Sequence, residues 1–302
     1  MATLLGLAVV LASGFVIAQQ SGDRIRVQVE AVNVLVTVNG KNDGKFINDL
    51  EKSDFDVYEN GIRQTITNFS RQTNLPLTIA MCVDTSSSVK VKLDFEKEAA
   101  LDFLFTVMRP NDRALLAEFD TGVTLLHDYT SNPNDLAGEI KNLRAGGGTS
   151  LYDAVYLVSE EKMLHEKGRR TMVILSDGSD LTSTHTFEEA LQMAQRAEIA
   201  IYAVSTTRFG ADVDHEGDNA LKQLAEATGG RVFFPYSSTD FAKAFSAIEQ
   251  ELRSQYNLAY VPIDKKKDGT FREITVKVDR DGVTVRHRNG YFAPLPAEGS
   301  GK

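Results

Sequence analysis

An apolar run at residues 77–83, Leu-Thr-Ile-Ala-Met-Cys-Val, ends at one carboxylate, Asp84, and four hydroxyl-bearing residues, Thr85 to Ser88. Uninterrupted apolarity over this length reads as a strand buried on both faces. Val89, Leu93, Phe95, Ala99, Ala100, Phe103 and Leu104 then follow at near-helical spacing, so a helix is expected to start directly after the hydroxyls. Strand, acidic-hydroxyl loop and helix in that order put hard oxygen donors at the carboxyl edge of a parallel sheet, where α/β folds hold ligands. The alternation continues downstream. Strands are expected at 77–83, 114–119, 123–126, 171–175, 199–204 and 232–234. Helices are expected at 89–108, 134–143, 151–165, 187–197, 219–227 and 241–252. This pattern predicts a doubly wound, mostly parallel six-stranded sheet with helices on both faces. Only Asp120-Thr121-Gly122 separates the second and third strands, which therefore pair antiparallel at an edge.

The flanks change period. Val32, Val34, Val36 and Val38 alternate on even positions, whereas Ile25, Val27 and Val29 alternate on odd ones, predicting a bulge or bend at Ala31. Further strands are expected at 55–58 and 62–69, joined by an Asn60-Gly61 hairpin turn. After Ser254 the period of two returns at Leu258 and Tyr260, at Ile274, Val276 and Val278, and at Val283 and Val285, with Asp281-Gly282 read as a hairpin turn. Neither flank is large enough to bury a core alone. Both are expected to join in one small β-sandwich, residues 24–73 with 255–294, into which the α/β unit at 75–252 is inserted; 295–302 is a tail.

Residues 4–17 are apolar and too short to span a bilayer, and Val16 and Ala18 put small residues at −3 and −1 of a cut after Ala18. Residues 1–18 thus read as a signal peptide without the usual basic first residues, and the mature chain as secreted or periplasmic. No cysteine follows the apolar run, so no lipid anchor is expected. The one cysteine, Cys82, lies in the buried strand and reads as a small core residue, with no disulfide framework. A net charge of −9 argues against nucleic acid as a partner, because no basic stripe exists to displace phosphate counterions.

Three segments carry oxygen donors at expected strand ends. These are Asp84-x-Ser86-x-Ser88, Thr149 within Gly146-Gly147-Gly148-Thr149-Ser150, and Asp177 within Leu175-Ser176-Asp177-Gly178-Ser179-Asp180. With neither His nor Cys in the set, such a site suits Mg²⁺, Mn²⁺ or Ca²⁺ and disfavours zinc. Asp153, one turn after Thr149, reads either as a hydrogen-bonding support for the site or as a first-turn acid favoured by the helix dipole.

These residues, in this order on this strand pattern, resemble the von Willebrand factor type A (vWA) domain and its metal-ion-dependent adhesion site, over about residues 75–250. The resemblance implies a Rossmann-like vWA fold and a metal bound by Asp84, Ser86, Ser88, Thr149 and Asp177. It also implies a protein ligand that offers the metal an acidic side chain, and a last helix, 241–252, that shifts when it does. The segments 54–61, 255–260 and 290–294 are similar to those of a bacterial exported subgroup of vWA-related proteins. The expected function is therefore non-enzymatic protein binding. Alternatives are a metal-dependent hydrolase and a scaffold with a vestigial site. The five histidines show no ligand spacing, and no G-x-S-x-G, H-E-x-x-H or G-K-[ST] motif is present.

Overall fold

The computed structural model describes residues 31–71, 75–207 and 215–296. The apolar segment at 1–18, the strand expected around 25–29 and the last six residues lie outside them. In chain order the N-terminal flank supplies β1 (Val32–Gly40), β2 (Phe55–Glu59), β3 (Ile62–Gln64) and β4 (Ile66–Ser70). The α/β unit follows with β5 (Leu77–Asp84), α1 (Leu93–Val107), β6 (Arg113–Phe119), β7 (Val123–Thr130), α2 (Pro133–Asn142) and α3 (Leu151–Leu157). It continues with β8 (Arg169–Ser176), α4 (Phe187–Arg196), β9 (Ala200–Ser205), α5 (His215–Thr228), β10 (Arg231–Phe233) and α6 (Ser238–Ser254). The C-terminal flank supplies β11 (Tyr256–Tyr260), β12 (Phe271–Val278), β13 (Val283–Arg286) and β14 (Gly290–Phe292).

The central sheet runs β10-β9-β8-β5-β6-β7, parallel throughout except for the antiparallel edge pair β6–β7. Every residue of β5 is buried, which is why its sequence carries no alternation. Leu77, Ile79, Met81 and Val83 face a core shared with α1, α2 and α6, while Ala80 and Cys82 face one shared with α3, α4 and α5. Burial pushes the Cys82 thiol up to about 12, so it behaves as a core hydrophobe and not as a nucleophile. From β5 the chain first moves to one side, β6 then β7, and afterwards to the other, β8 to β10. The carboxyl ends of β5 and β8 therefore flank the switch point of the sheet.

Three expectations change. The helix after β5 starts at Leu93 and not at Val89, because Ser87–Val89 form a 3₁₀ turn that folds the hydroxyls back over the strand end. Residues 62–69 are not one strand. β3 pairs with β2 and β4 pairs with β11, so the chain changes sheets at Thr65. Asp281-Gly282 does not close a hairpin either: both edges of β12 are taken by β2 and β14, and β13 crosses to pair with β1. The Asn60-Gly61 turn forms as its residues require, with φ of 47° and 77° between paired Glu59 and Ile62.

The flanking strands build two antiparallel sheets, β13-β1-β11-β4 and β14-β12-β2-β3, in a sandwich around Val34, Val36, Val57, Tyr256, Leu258, Tyr260 and Ile274. Each sheet mixes strands from both ends of the chain. The sandwich is tied to the α/β unit at the end of α6. There the fully buried Glu251 carboxylate accepts from Thr37 Oγ1 (3.3 Å) and Tyr202 OH (3.1 Å) and pairs with Arg286 on β13. Arg253 pairs with Asp112 (2.5 Å), and Arg169 donates to Gln255 Oε1 (2.5 Å).

Two outcomes follow from this arrangement. Deleting residues 255–293 removes both neighbours of β1 and one of β2, so strands β1–β4 should lose hydrogen-exchange protection; unchanged protection there would refute the shared sandwich. Glu251→Ala leaves Arg286 without its partner and should cost about 3 kcal/mol in urea unfolding.

Candidate metal centre

Asp84 is the last residue of β5 and has no solvent exposure. Its Oδ1 accepts the Ser86 amide (2.8 Å) and its Oδ2 accepts Ser176 Oγ, one strand over, at 2.6 Å. The chain then turns so that Ser86 Oγ and Ser88 Oγ lie 2.8 Å apart, Ser86 buried and Ser88 exposed. This turn is clamped to the glycine-rich loop before α3. Gly146 N donates to Thr85 O (2.7 Å), and both Ser87 N (3.3 Å) and Ser87 Oγ (3.0 Å) donate to Gly147 O.

The glycines have a steric reason. Gly147 sits at φ 74°, and a Cβ there would come within 2.7 Å of Thr121 Oγ1 and 2.9 Å of Asp120 Oδ2. Gly148 N donates to Thr121 Oγ1 (2.8 Å), and Ser150 Oγ to Thr121 O (3.0 Å), so the β6–β7 turn holds this loop from its other side. Thr149, 2 % exposed, uses its carbonyl to accept the amides of Leu181 (2.8 Å) and Thr182 (3.0 Å). The loop after β8 is thereby fastened to the second segment. Within that loop Asp177 is 7 % exposed, its Oδ1 accepts Ser179 N (3.1 Å), and Ser176 Oγ accepts Gly178 N (2.9 Å).

The structure thus brings the segments of Asp84, Ser86 and Ser88, of Thr149, and of Asp177 to one edge of the sheet and joins them by hydrogen bonds. Asp153 serves a different loop contact. Its carboxylate accepts Thr184 N (3.0 Å) and His185 N (2.9 Å) and meets His185 Nδ1 (2.6 Å), fixing the turn that follows Asp177's loop. Burial pushes that carboxyl up, but these hydrogen bonds outweigh it and hold it below the usual range. His185 is also stacked on Tyr156, with centroids 3.8 Å apart, which occupies its ring. Sequence reasoning passed over Ser176, Thr121 and Asp180 as supports. Asp180 Oδ1 accepts Tyr152 N (3.0 Å) and Ser183 Oγ (2.6 Å), joining α3 to the same loop. Ser176 and Asp180 stand in the motif that marks Asp177, whereas Thr121 carries no local signal.

Two carboxylates and three hydroxyls form an all-oxygen donor set, which fits a hard dication. Among the described residues no three His, Cys, Asp or Glu side chains cluster as metal ligands, as expected where hydroxyls make up most of the set. Asp84's carboxyl is pushed up to about 6, chiefly by burial. Hydrogen bonds from Ser176 and Ser86 oppose the rise, and the charge of Asp177 adds to it. A cation held between the two would relieve both causes.

Fold and sheet edge together define an open α/β domain with these three loops at its switch point. The signature of the von Willebrand factor type A domain family matches residues 79–179, and the chain carries a vWA domain. Among solved structures, a von Willebrand factor type A protein from Catenulispora acidiphila is similar at 12 % identity, with 82 % of this chain and 76 % of that one covered and a TM-score of 0.53. Proximal thread matrix protein 1 from the mussel byssus is similar at 16 % identity, with 65 % of this chain and 51 % of that one covered and a TM-score of 0.52. Both likenesses concern the fold. No curated protein matches significantly.

In cation-free protein, Asp84 ionises near 3.8 when unfolded and about 6 when folded. The folded state binds the extra proton between these values, so this contribution to stability is complete below about pH 4 and is lost as pH rises through about 6. In urea titrations with EDTA, the difference between wild type and Asp84→Asn should change over that window and level off above it. A difference independent of pH would refute it.

Proposed function

We propose that this chain is an extracytoplasmic vWA protein that binds a protein ligand through a divalent cation, with no catalytic role. Asp84, Ser86, Ser88, Thr149 and Asp177 would hold the ion, directly or through water. The observation that supports this reading best is the set of hydrogen bonds fastening the three donor loops together, Ser87 to Gly147 and Leu181 and Thr182 to Thr149. With few carboxylates directly on it, a dication stays electrophilic and short of one ligand, so it attracts an Asp or Glu side chain from outside. Ser88, the exposed member, marks the side open to that guest. Mg²⁺ is the ion we favour, with Mn²⁺ or Ca²⁺ compatible with the same donors.

Export rests on residues 1–18 acting as a signal peptide. Among the described residues no helix is long and apolar enough to cross a membrane. A movement of α6 on ligand binding would reach the sandwich through Glu251 and Arg286, since that ion pair joins the helix end to β13.

Isothermal titration of wild type with Mg²⁺ and Mn²⁺ should give binding heat, with affinity at least tenfold weaker in Asp84→Ala and in the Ser86→Ala/Ser88→Ala double variant; equal heats in all three would sink the reading. A ligand retained from the native secreted fraction should be released by EDTA and should not be held by Asp84→Ala.

A further inference from the structure

Among the described residues the most exposed large apolar side chains are Val91 (88 %), Leu181 (77 %), Leu295 (68 %) and Tyr236 (66 %). Leu295 lies in the C-terminal tail. The other three stand in the loops that follow β5, β8 and β10. Those strands run parallel, so all three loops leave the same edge of the sheet. Single apolar side chains scattered over a surface are ordinary, whereas a group of them at one place marks an interaction site.

Val91 and Leu181 belong to loops of the candidate metal centre. β5 and β8 are neighbours, and Ser176 Oγ joins their ends by its bond to Asp84 Oδ2 at 2.6 Å. Val91 follows Ser88 within the β5–α1 loop, which is tied to the glycine-rich segment by Ser87 N and Gly147 O (3.3 Å). Val89 and Leu93 on either side of it are buried, which leaves Val91 outside, and the bond from Lys92 N to Val89 O (2.8 Å) closes the turn that presents it. Leu181 is tied to the same glycine-rich segment, its amide donating to Thr149 O at 2.8 Å. Backbone hydrogen bonds thus hold two aliphatic side chains in water beside the oxygen donors. A serine or lysine at either position would be solvated without cost.

We propose that Val91 and Leu181 form an apolar rim beside the cation, fitted to a partner segment whose Asp or Glu is flanked by large apolar residues. This rests on the metal reading above and deepens it. The cation selects the acid. The rim covers the carboxylate once it is bound and excludes water, and the lower local dielectric strengthens its attraction to the ion. Because hydrogen bonds already fix both loops, little ordering cost is left for the binding step. Tyr236 extends the same edge two strands outward from β8.

The test is selection by the full-length protein from a phage-displayed library of random dodecapeptides in Mn²⁺, with elution by EDTA. The eluted peptides should carry an Asp or Glu with Leu, Ile, Phe or another large apolar residue a few positions away. The best of them, synthesised with a fluorophore, should bind the Val91→Ser/Leu181→Ser double variant at least tenfold more weakly than wild type, through faster dissociation; desolvating two aliphatic side chains is worth more than that factor. The heat of Mn²⁺ binding and the melting temperature in EDTA should match wild type, since both side chains lie outside the core. Acidic peptides without apolar neighbours, peptides that stay bound in EDTA, no retained peptide despite Mn²⁺ binding, or equal affinity in the double variant would each overturn the rim and leave the cation site standing. No Mn²⁺ heat in wild type overturns the metal reading and the rim with it. If circular dichroism shows the double variant unfolded, Val91→Thr with Leu181→Gln makes the same comparison.

Discussion

The candidate centre depends on a carboxylate placed at the end of a strand that water cannot reach. β5 is covered on both faces, so its last side chain, Asp84, emerges into protein and not into solvent. Its two oxygens are used by Ser86 N on its own loop and Ser176 Oγ on the neighbouring strand. That pair of bonds fixes where the hydroxyl loop begins and where β8 ends. The remaining donors then have only short distances to cover before they meet at the switch point of the sheet.

Hydrogen bonds from main-chain groups join the loops in that position. Gly146, Gly147, Leu181 and Thr182 all contribute amides or carbonyls to contacts between segments. This explains why glycines cluster beside the donors: the backbones must approach closely, and at Gly147 a side chain would meet Asp120 and Thr121. An arrangement made from backbone contacts leaves the hydroxyls of Ser86, Ser88 and Thr149 for chemistry. Asp153 and Asp180, beside those donors in the chain, work on the loop frame instead. Their oxygens satisfy amides at Thr184, His185 and Tyr152.

The sandwich is built from strands on both sides of the α/β unit in the chain. Because β1 lies between β11 and β13, the two ends of the chain hold each other, and the inserted unit is closed at its root. Glu251 extends that closure into α6 through a buried carboxylate shared by Thr37, Tyr202 and Arg286. α6, which packs in the core on one face of the central sheet, is thereby bonded at its end to the sandwich.

Much was legible from local pattern. The unbroken apolar run of β5, the strand–helix alternation and the short Asp120-Thr121-Gly122 link follow from which faces must be buried, and burial leaves a periodic mark on sequence. Oxygen donors at strand ends were equally visible, since their positions relative to the apolar runs are local. What the tertiary structure alone decided is partnership. The sheet change at Thr65 and the crossing of β13 to β1 depend on which strand edges are already occupied, and no residue at those turns encodes that.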